Sequence, residues 1–294
     1  MEADASSVPR DLVQAAEDMP TISPVLGKIN KISREMETSP RELIKIIMLD
    51  PILTGKVIRL VNSSFYGLTQ KVQSLAQAVV YLGVNTVKNV AISTALLSTV
   101  VIKEKNSPLN PEAFWQHCLA TAVGAKLLAK NLGMAPDKLE MFFVSGLLHD
   151  VGKILFIKAA PDRYCKALDE SRRLGVSLAF AELAHFGCCH TQAGGVLARK
   201  WKLDTFLVDV IERHHSLPEK KKGSVNEVVA VANNLSKESQ AGVSGNCVVE
   251  EMAGDIVQRL HISQSVTSRL TEQLPAELEK AAEFLNLIKE LKIK

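Results

Sequence analysis

This chain of 294 residues lacks several features that would assign it to a common protein class. Its longest apolar stretch without a charge, residues 89–102, is 14 residues long, whereas a membrane-spanning helix needs roughly 20. Its first residues do not follow the basic-then-apolar order of a signal peptide. The five cysteines form an odd number and include no Cys-x-x-Cys pair. These absences predict a protein of the reducing cytoplasm with no membrane partner.

Motifs of two large enzyme classes are also missing. No glycine-rich loop could cradle a phosphate, since Gly194-Gly195 is too short a signal. No serine stands in a nucleophile elbow, so Ser-His-Asp hydrolysis has no support. The net charge is only +3, and the basic segments 199–202 and 220–222 are typical of solvated faces. Nucleic acid is therefore not expected as a partner.

The sequence does contain typical signals for the starts and ends of helices. A capping box at 39–42, Asp50 before Pro51 and Asn110 before Pro111 are typical helix starts. Gly83 and Gly133 are predicted stops. Alternating apolar and polar runs long enough for a sheet are absent. With 47% hydrophobic and 23% charged residues, the composition is ordinary for a globular domain, and we predict an all-α fold.

The predicted helices fall into three regions. A hinge-like segment at 107–111 separates an N-terminal helical half, which ends at about residue 105, from a second half. A polar loop at 216–223 leads into a C-terminal helical region, 219–294, that completes or flanks the second half. The tail from 275 either docks on the body or offers a surface to a partner or to a second copy of the chain. Its apolar residues at helical spacing are Leu278, Ala281, Leu285, Ile288 and Leu291.

Six of the seven histidines lie between positions 117 and 215, in the second half. His149-Asp150 ends an apolar run, where the desolvation of two strongly polar side chains needs compensation, and metal coordination provides it. Inward imidazoles on several helices are the way in which helical bundles build metal sites. The pattern alone does not decide between His185 and His190. The histidines on predicted faces of small and apolar residues are His117, His190, His214 and His215.

Several motifs together resemble the HDOD family, a degenerate branch of the HD superfamily of metal-dependent phosphohydrolases. The resemblance covers about residues 18–215 and singles out His190 over His185. The segments that carry it are a proline-containing opening (19–25), a D-P-x-L … N-S-A segment (50–54 and 59–64), an A-x-x-x-L-G motif (78–83) and an F-G-x-x-H-x-x-x-G motif (186–194).

The resemblance implies an HD-superfamily helical bundle, with an HDOD domain at 11–218. It also implies a metal-ligand set like that of the related HD-GYP phosphodiesterases, of the form H … HD … H … HH … D. The last aspartate of that set is replaced by Asn233, and the Gly-Tyr-Pro motif is missing. Asn233 is a weak ligand because an amide oxygen carries no charge. The remaining counterparts are His117, His149, Asp150, His190, His214 and His215.

This nitrogen-rich set favours a divalent transition metal, iron first, with zinc, manganese and nickel as alternatives. One or two ions are expected. Two divalent ions beside a single carboxylate leave about three net positive charges, four minus one. Such a site attracts phosphate strongly and holds its second ion weakly. In an active enzyme Asp150 would position the metal and the nucleophile. Lys153 resembles the lysine that contacts phosphate in active relatives, and a solvated lysine after a helix end is the alternative.

Two functions remain open. The first is a signalling module with a metal centre and little or no turnover, whose pocket binds a signalling protein or a nucleotide-like phosphate ligand. Asn233 and the missing Gly-Tyr-Pro motif favour it. The second is an active phosphohydrolase or phosphodiesterase on a nucleotide or cyclic dinucleotide, which the retained histidines and Lys153 favour. The sequence favours the first function, and association into a homodimer stays open.

Overall fold

A computed structural model of the chain describes residues 8–20, 23–33, 39–100, 102, 107–216, 224–246, 248–249, 256 and 259–290. These residues form helices joined by turns, and no strand occurs among them. The all-α prediction is confirmed. The lysines at 220–222 and the predicted boundary near residue 105 lie outside the described residues.

The helices follow one another in three groups along the chain. The N-terminal group is α1 (Arg10–Glu17), α2 (Pro24–Ser33), α3 (Pro40–Ile47), α4 (Pro51–Val61), α5 (Leu75–Leu82) and α6 (Val84–Thr99). The middle group is α7 (Pro111–Asn131), α8 (Leu139–Leu148), α9 (Lys153–Ala159), α10 (Pro161–Leu174), α11 (Leu178–Phe186), α12 (His190–Lys200), α13 (Thr205–Arg213) and α14 (Val225–Glu238). The C-terminal pair is α15 (Gln264–Lys280) and α16 (Ala282–Glu290).

Local capping explains where several of these helices begin and end. The side chains of Asp50 and Asn110 accept hydrogen bonds from backbone N–H groups in the first turns of α4 and α7, which satisfies donors that a helix start leaves unpaired. Gly83 and Gly133 have φ angles of 84° and 75°, a conformation that glycine adopts without strain. The capping box at 39–42 was wrong in detail, because the Ser39 side chain makes no cap hydrogen bond.

Helix α7 is the central element of the second half. It packs against α8 and α14, and α15 and α16 also contact it. One hydrophobic core continues from the N-terminal helices into the second half. Polar contacts add to this connection: Lys200 Nζ donates to the carbonyl oxygen of Ala16 (2.7 Å) at the end of α1, and Trp201 Nε1 donates to that of Pro20 (3.3 Å). The N-terminal helices therefore support the face of the second half that carries α12.

The C-terminal tail docks on the body of the protein. Leu274 and Phe284 are buried in the main core, together with Ala281 and Leu287. The expected single helical stripe from 275 was wrong in detail, because α15 begins at Gln264 and the helix is interrupted at Ala281. This interruption changes which residues face the core, and Leu278 and Leu285 are only partly buried.

None of the helices that the structure describes combines the length and the hydrophobicity that a bilayer crossing requires.

Three glycines permit close backbone approaches around the histidines. A Cβ atom on Gly146 of α8 would lie 2.8 Å from the backbone nitrogen of Ala122 in α7. A Cβ on Gly152 would lie 1.9 Å from the carbonyl oxygen of His190. Gly194 of α12 has no space either, because its Cβ would lie 2.6 Å from Ile211 Cγ2. The turn after α8 and the start of α12 can therefore approach only without side chains at these positions.

A methyl group at position 152 should disrupt this contact. We expect Gly152→Ala to lower the free energy of unfolding by about 3 kcal/mol, because the new Cβ meets rigid backbone rather than a movable side chain. Gly55→Ala is the matched control, since Gly55 lies in α4 with open space around it. That change should be neutral or stabilise the protein by up to about 1 kcal/mol. Urea unfolding measures both, and equal effects would contradict the close contact.

Candidate metal centre

Four segments of the chain bring six side chains of metal-ligand type to one place in the interior. Helix α7 contributes His117, and the turn that follows α8 contributes His149 and Asp150. The remaining imidazoles come from the first residue of α12 and from the two residues after α13. These are His190, His214 and His215. All are buried except His215, which is partly exposed.

The Asp150 carboxylate lies between two groups of imidazoles. Its Oδ1 atom is 3.3 Å from His190 Nε2 and 3.7 Å from His214 Nε2. Its Oδ2 atom is 3.3 Å from His149 Nε2 and 3.6 Å from His117 Nε2. We call the first group, with His215, the α12 end of the site, and the second group the α7 end. Each end gathers at least three ligand-type atoms within the reach of one ion.

The α12 end is the more crowded of the two. His190 Nε2 lies 3.4 Å from His214 Nε2 and 3.2 Å from His215 Nε2. Ring nitrogens at these distances either form a hydrogen bond through one proton or bind one cation together. Which case applies depends on where each ring carries its hydrogen, and the partners of the Nδ1 atoms show this.

Helix ends determine which ring nitrogen of two histidines carries the proton. His149 Nδ1 lies 2.7 Å from the carbonyl oxygen of Gly146, in the last turn of α8. His214 Nδ1 lies 3.1 Å from that of Ile211, in the last turn of α13. A carbonyl oxygen can only accept a hydrogen bond, so each Nδ1 carries its hydrogen. When such a ring is neutral, its Nε2 atom therefore presents a lone pair to Asp150.

A buried carboxylate orients His190. Glu182 Oε2 lies 2.6 Å from His190 Nδ1 and also accepts a hydrogen bond from the backbone N–H of His190 (2.8 Å). Its Oε1 atom accepts from the hydroxyl of Tyr164 (3.0 Å). Glu182 is fully buried and thus fixes both the start of α12 and the ring of its first residue. A carboxylate behind an imidazole is a common support for a metal ligand.

A hydroxyl orients His117 in the same way. Ser236 Oγ lies 3.0 Å from His117 Nδ1 and donates to the carbonyl oxygen of Asn233 (2.9 Å). Since the hydroxyl hydrogen is used there, His117 Nδ1 donates and its Nε2 keeps a lone pair. Asn233 lies on the same face of α14, one turn before Ser236, and its side chain is buried.

Burial keeps three of the imidazoles neutral. It lowers the pKa values of His117 and His190 well below the ordinary value, since a charged ring would lose its hydration. For His214, burial and the neighbouring His215 lower the pKa to about 3. Burial alone would raise the pKa of Asp150, but His149 and Lys153 reverse the effect and lower it. At neutral pH Asp150 is thus a carboxylate, and His117, His190 and His214 are neutral imidazoles around it.

The donor atoms fit a divalent transition metal. His117 Nε2, His149 Nε2, Asp150 Oδ1 and Asn233 Oδ1 are buried and have no hydrogen-bond partner within the described residues. Unpartnered buried polar atoms cost about 1–3 kcal/mol each, and a cation compensates several at once. Neutral imidazoles with one carboxylate favour iron, zinc, manganese or nickel over magnesium or calcium. The residues present therefore fit the metal that the sequence suggested.

Lys153 is a buried part of this site. Only 1% of its side chain is exposed, so the alternative of a solvated lysine was wrong. Its Nζ atom donates to Asp150 Oδ2 (2.6 Å) and to the carbonyl oxygen of Ser244 (3.2 Å). The ammonium group thus neutralises the oxygen of Asp150 that faces the α7 end.

The segment that carries Ser244 covers the site. The backbone N–H of Val243 donates to the carbonyl oxygen of Ala113 in α7 (2.9 Å). Gly242, at φ 83°, lies so close to α7 that a Cβ would be 2.3 Å from the backbone nitrogen of His117. Ser244 itself is buried. Residues 241–246 therefore separate this part of the site from solvent.

Sequence reasoning missed Glu182, Ser236 and Ser244. A single glutamate inside the apolar run 178–186 is a detectable signal, because a carboxylate there needs a partner. Ser236 and the Ser244 carbonyl had no such signal. Of the other histidines, His185 pairs with Glu170 (2.6 Å) outside the site, whereas His190 lies within it.

Comparisons with known proteins agree with the fold and the motifs. The family model of the HDOD domain matches residues 19–217. The chain is 24% identical over 230 residues to ribonuclease Y of Mycoplasma mycoides, a match that covers 77% of this chain and 44% of the ribonuclease. The chain spans less than half the length of the curated relatives it matches.

Two solved structures have the same helical architecture. An HDOD domain protein from Geobacter sulfurreducens superposes with a TM-score of 0.71 at 24% identity, over 95% of this chain and 97% of that one. A candidate signal transduction protein from Marinobacter aquaeolei VT8 superposes with a TM-score of 0.74 at 17% identity, over 97% of this chain and 66% of that one. Likenesses at these identities show the fold alone.

The metal-free protein should lose stability on acidification. The pKa values of His117, His190 and His214 are lowered in the folded chain, so below pH 6.5 the unfolded chain binds protons that the folded chain does not. Their contribution is complete above pH 6.5 and is lost as the pH falls, by about 1.4 kcal/mol per pH unit for each ring. For His214 this loss continues to about pH 3.

Glu182 opposes this trend. Burial raises its pKa to about 7, so its contribution is present below pH 4.5 and is lost as the pH rises towards 7. The net loss between pH 6.5 and 4.5 should be about 2.7 kcal/mol per pH unit. Urea unfolding of chelator-treated protein measures it, with pH 8 as the reference. His214→Asn should lower the slope by about 1.4 kcal/mol per pH unit, and an unchanged slope would contradict the neutral-ring description.

Proposed function

Because the chain belongs to the HDOD family, we propose that it is a regulatory module built around a divalent-metal centre, with little or no turnover. The ligands of the centre are His117, His149, Asp150, His190, His214 and His215, with Asn233 as a weak further ligand. The convergence of unpartnered lone pairs on one buried carboxylate is the observation that carries the proposal. Iron is the first candidate and one or two ions are expected.

Burial of the site supports a role without turnover. A bound divalent metal would supply a positively charged centre that attracts phosphate and polarises water. A phosphodiester, however, must reach both the metal centre and a cation that orients it. The cation in contact with Asp150 is Lys153, and it is held by Asp150 and by the Ser244 carbonyl. Residues 241–246 would have to move before a substrate could contact it.

The asparagine at position 233, where the HD-GYP pattern has an aspartate, also supports a role without turnover. An aspartate there would add a second carboxylate and lower the net charge of a two-ion centre from about three to about two. With Asn233 the site holds its second ion less firmly, and enzymes that use two ions need both for displacement at phosphorus. A phosphate-bearing nucleotide could still bind as a ligand. The proposed partners are such a ligand or a signalling protein, in the cytoplasm.

An active phosphodiesterase is the second candidate. The retained histidines and the Lys153 contact with Asp150 favour it, because these groups adjoin one another as a hydrolytic site requires. Ribonuclease Y, by its name, cleaves RNA, so the relatives of this chain include proteins that act on phosphodiesters. A cyclic dinucleotide or another nucleotide is the corresponding substrate class.

Metal content tests the centre directly. Protein purified without oxygen should contain one to two equivalents of a transition metal per chain, measured by elemental analysis. Asp150→Ala and His190→Ala should lose nearly all of it, because each removes an atom on which the imidazoles converge. His185→Ala is the matched control, since His185 pairs with Glu170 outside the site. Wild-type protein without metal after this purification would overturn the proposed centre.

Turnover is tested separately. We expect wild-type protein loaded with iron or manganese to hydrolyse a cyclic dinucleotide no faster than His149→Ala, because Lys153 and the covering segment limit access. Chromatographic separation of the nucleotide products gives the rate. Hydrolysis at least about 100-fold above that control, the scale of contribution expected from a single general acid or base, would favour the phosphodiesterase.

A further inference from the structure

The two ends of the candidate metal centre have the same ligand types but different charges behind them. At the α12 end, the Nδ1 atom of His190 faces the Glu182 carboxylate. The Nδ1 atoms of His117, His149 and His214 face a serine hydroxyl or backbone carbonyl oxygens instead. Among these four imidazoles, His190 is therefore the one with an anionic support.

Two further hydrogen bonds hold the Glu182 carboxylate in position for this role. Its carboxylate already accepts hydrogen bonds from the backbone N–H of His190 and from the hydroxyl of Tyr164, so neither oxygen is free to turn away. The contact with His190 Nδ1 is short, at 2.6 Å. A carboxylate that accepts the Nδ1 hydrogen makes the opposite nitrogen more basic and fixes its direction. His190 Nε2 should accordingly be the strongest nitrogen donor among these four.

The α7 end has the opposite electrostatic support. Lys153 Nζ donates to Asp150 Oδ2, the oxygen that faces His117 and His149. Asp150 Oδ1, which faces the α12 end, has no hydrogen bond of its own. The negative charge of Asp150 is thus available to an ion at the α12 end and is largely neutralised at the α7 end.

We propose that the two ends bind metal unequally: the α12 end binds the first divalent ion, Glu182 is the positioning residue that sets its affinity, and Lys153 weakens the α7 end. This inference rests on the proposed metal centre and assigns an order of filling within it. Relative to two identical sites, the α12 end gains one negative charge behind a ligand, and the α7 end gains one positive charge beside its carboxylate oxygen. Both differences act in the same direction.

Titration with cobalt measures the two steps. Chelator-treated wild-type protein is titrated with Co²⁺ at pH 8 without oxygen, and binding is followed by calorimetry and by the visible absorption of the bound ion. We expect one tight equivalent and a second that is at least 10-fold weaker. Glu182→Gln removes the charge and keeps the shape, and it should weaken the first step by about 10- to 100-fold. The absorption of the first equivalent should change with it.

Glu140→Gln is the matched control. Glu140 is a buried carboxylate of α8 that pairs with Lys126 and accepts from the Tyr66 hydroxyl, and it contacts no imidazole of the site in the described residues. Its variant should bind the first equivalent like wild type. Glu182→Asp retains the charge with a shorter side chain and should restore part of the lost affinity. If Glu182→Gln does not fold, Tyr164→Phe, which removes the donor to Oε1, should weaken the same step.

Lys153→Met tests the other end. It removes the ammonium group and keeps a side chain of similar length, so the second step should tighten and approach the first. Two equal steps in wild type, or a Glu182→Gln titration that matches wild type, would overturn the inference and leave the proposed metal centre intact. A loss confined to the second step in Glu182→Gln would also overturn it. Wild-type protein that binds no cobalt would overturn the inference and the proposed centre together.

Discussion

The burial of one carboxylate among imidazoles is the constraint on which the second half of this protein depends. Asp150 is almost fully buried, and its two oxygens face different pairs of imidazole nitrogens at 3.3–3.7 Å. An arrangement of lone pairs like this one is unfavourable unless a cation occupies the space between them. The surrounding helices must therefore hold their side chains against mutual repulsion until that cation is bound.

Helix ends and glycines provide this rigidity. The last turns of α8 and α13 offer carbonyl oxygens that have no partner within the helix, and these oxygens accept the Nδ1 hydrogens of His149 and His214. The start of α12 is held by Glu182, which binds the backbone and the ring of the same residue. Gly152 and Gly194 let these segments approach at backbone distance. The positions of the ligands are thus consequences of how the helices end.

The sequence predicts the local part of this arrangement and not the long-range part. The start of α7 was predictable because Asn110 and Pro111 act within one helical turn. The interruption of the tail at Ala281 was not, because no glycine or proline stands at that position, and both tail helices pack against α7, which is distant in the sequence. Glu182 belongs to the long-range part as well: its partner lies eight residues away, across the turn between α11 and α12. Periodicity within a single helix cannot reveal such a pair.

The charges around the proposed metal centre are consistent with the proposed role without turnover. A phosphate approaching the centre would need Lys153 as a counter-ion, yet Lys153 compensates the charge of Asp150 and is held by a carbonyl of the covering segment. If Lys153 turned towards a phosphate, Asp150 Oδ2 would regain its charge and favour a second ion at the α7 end. Phosphate binding and metal binding at the α7 end would then be coupled, because a phosphate that draws Lys153 away leaves the charge of Asp150 Oδ2 available to a second ion. In the proposed regulatory module, such coupling would change the metal content and the position of residues 241–246 when a phosphate ligand binds.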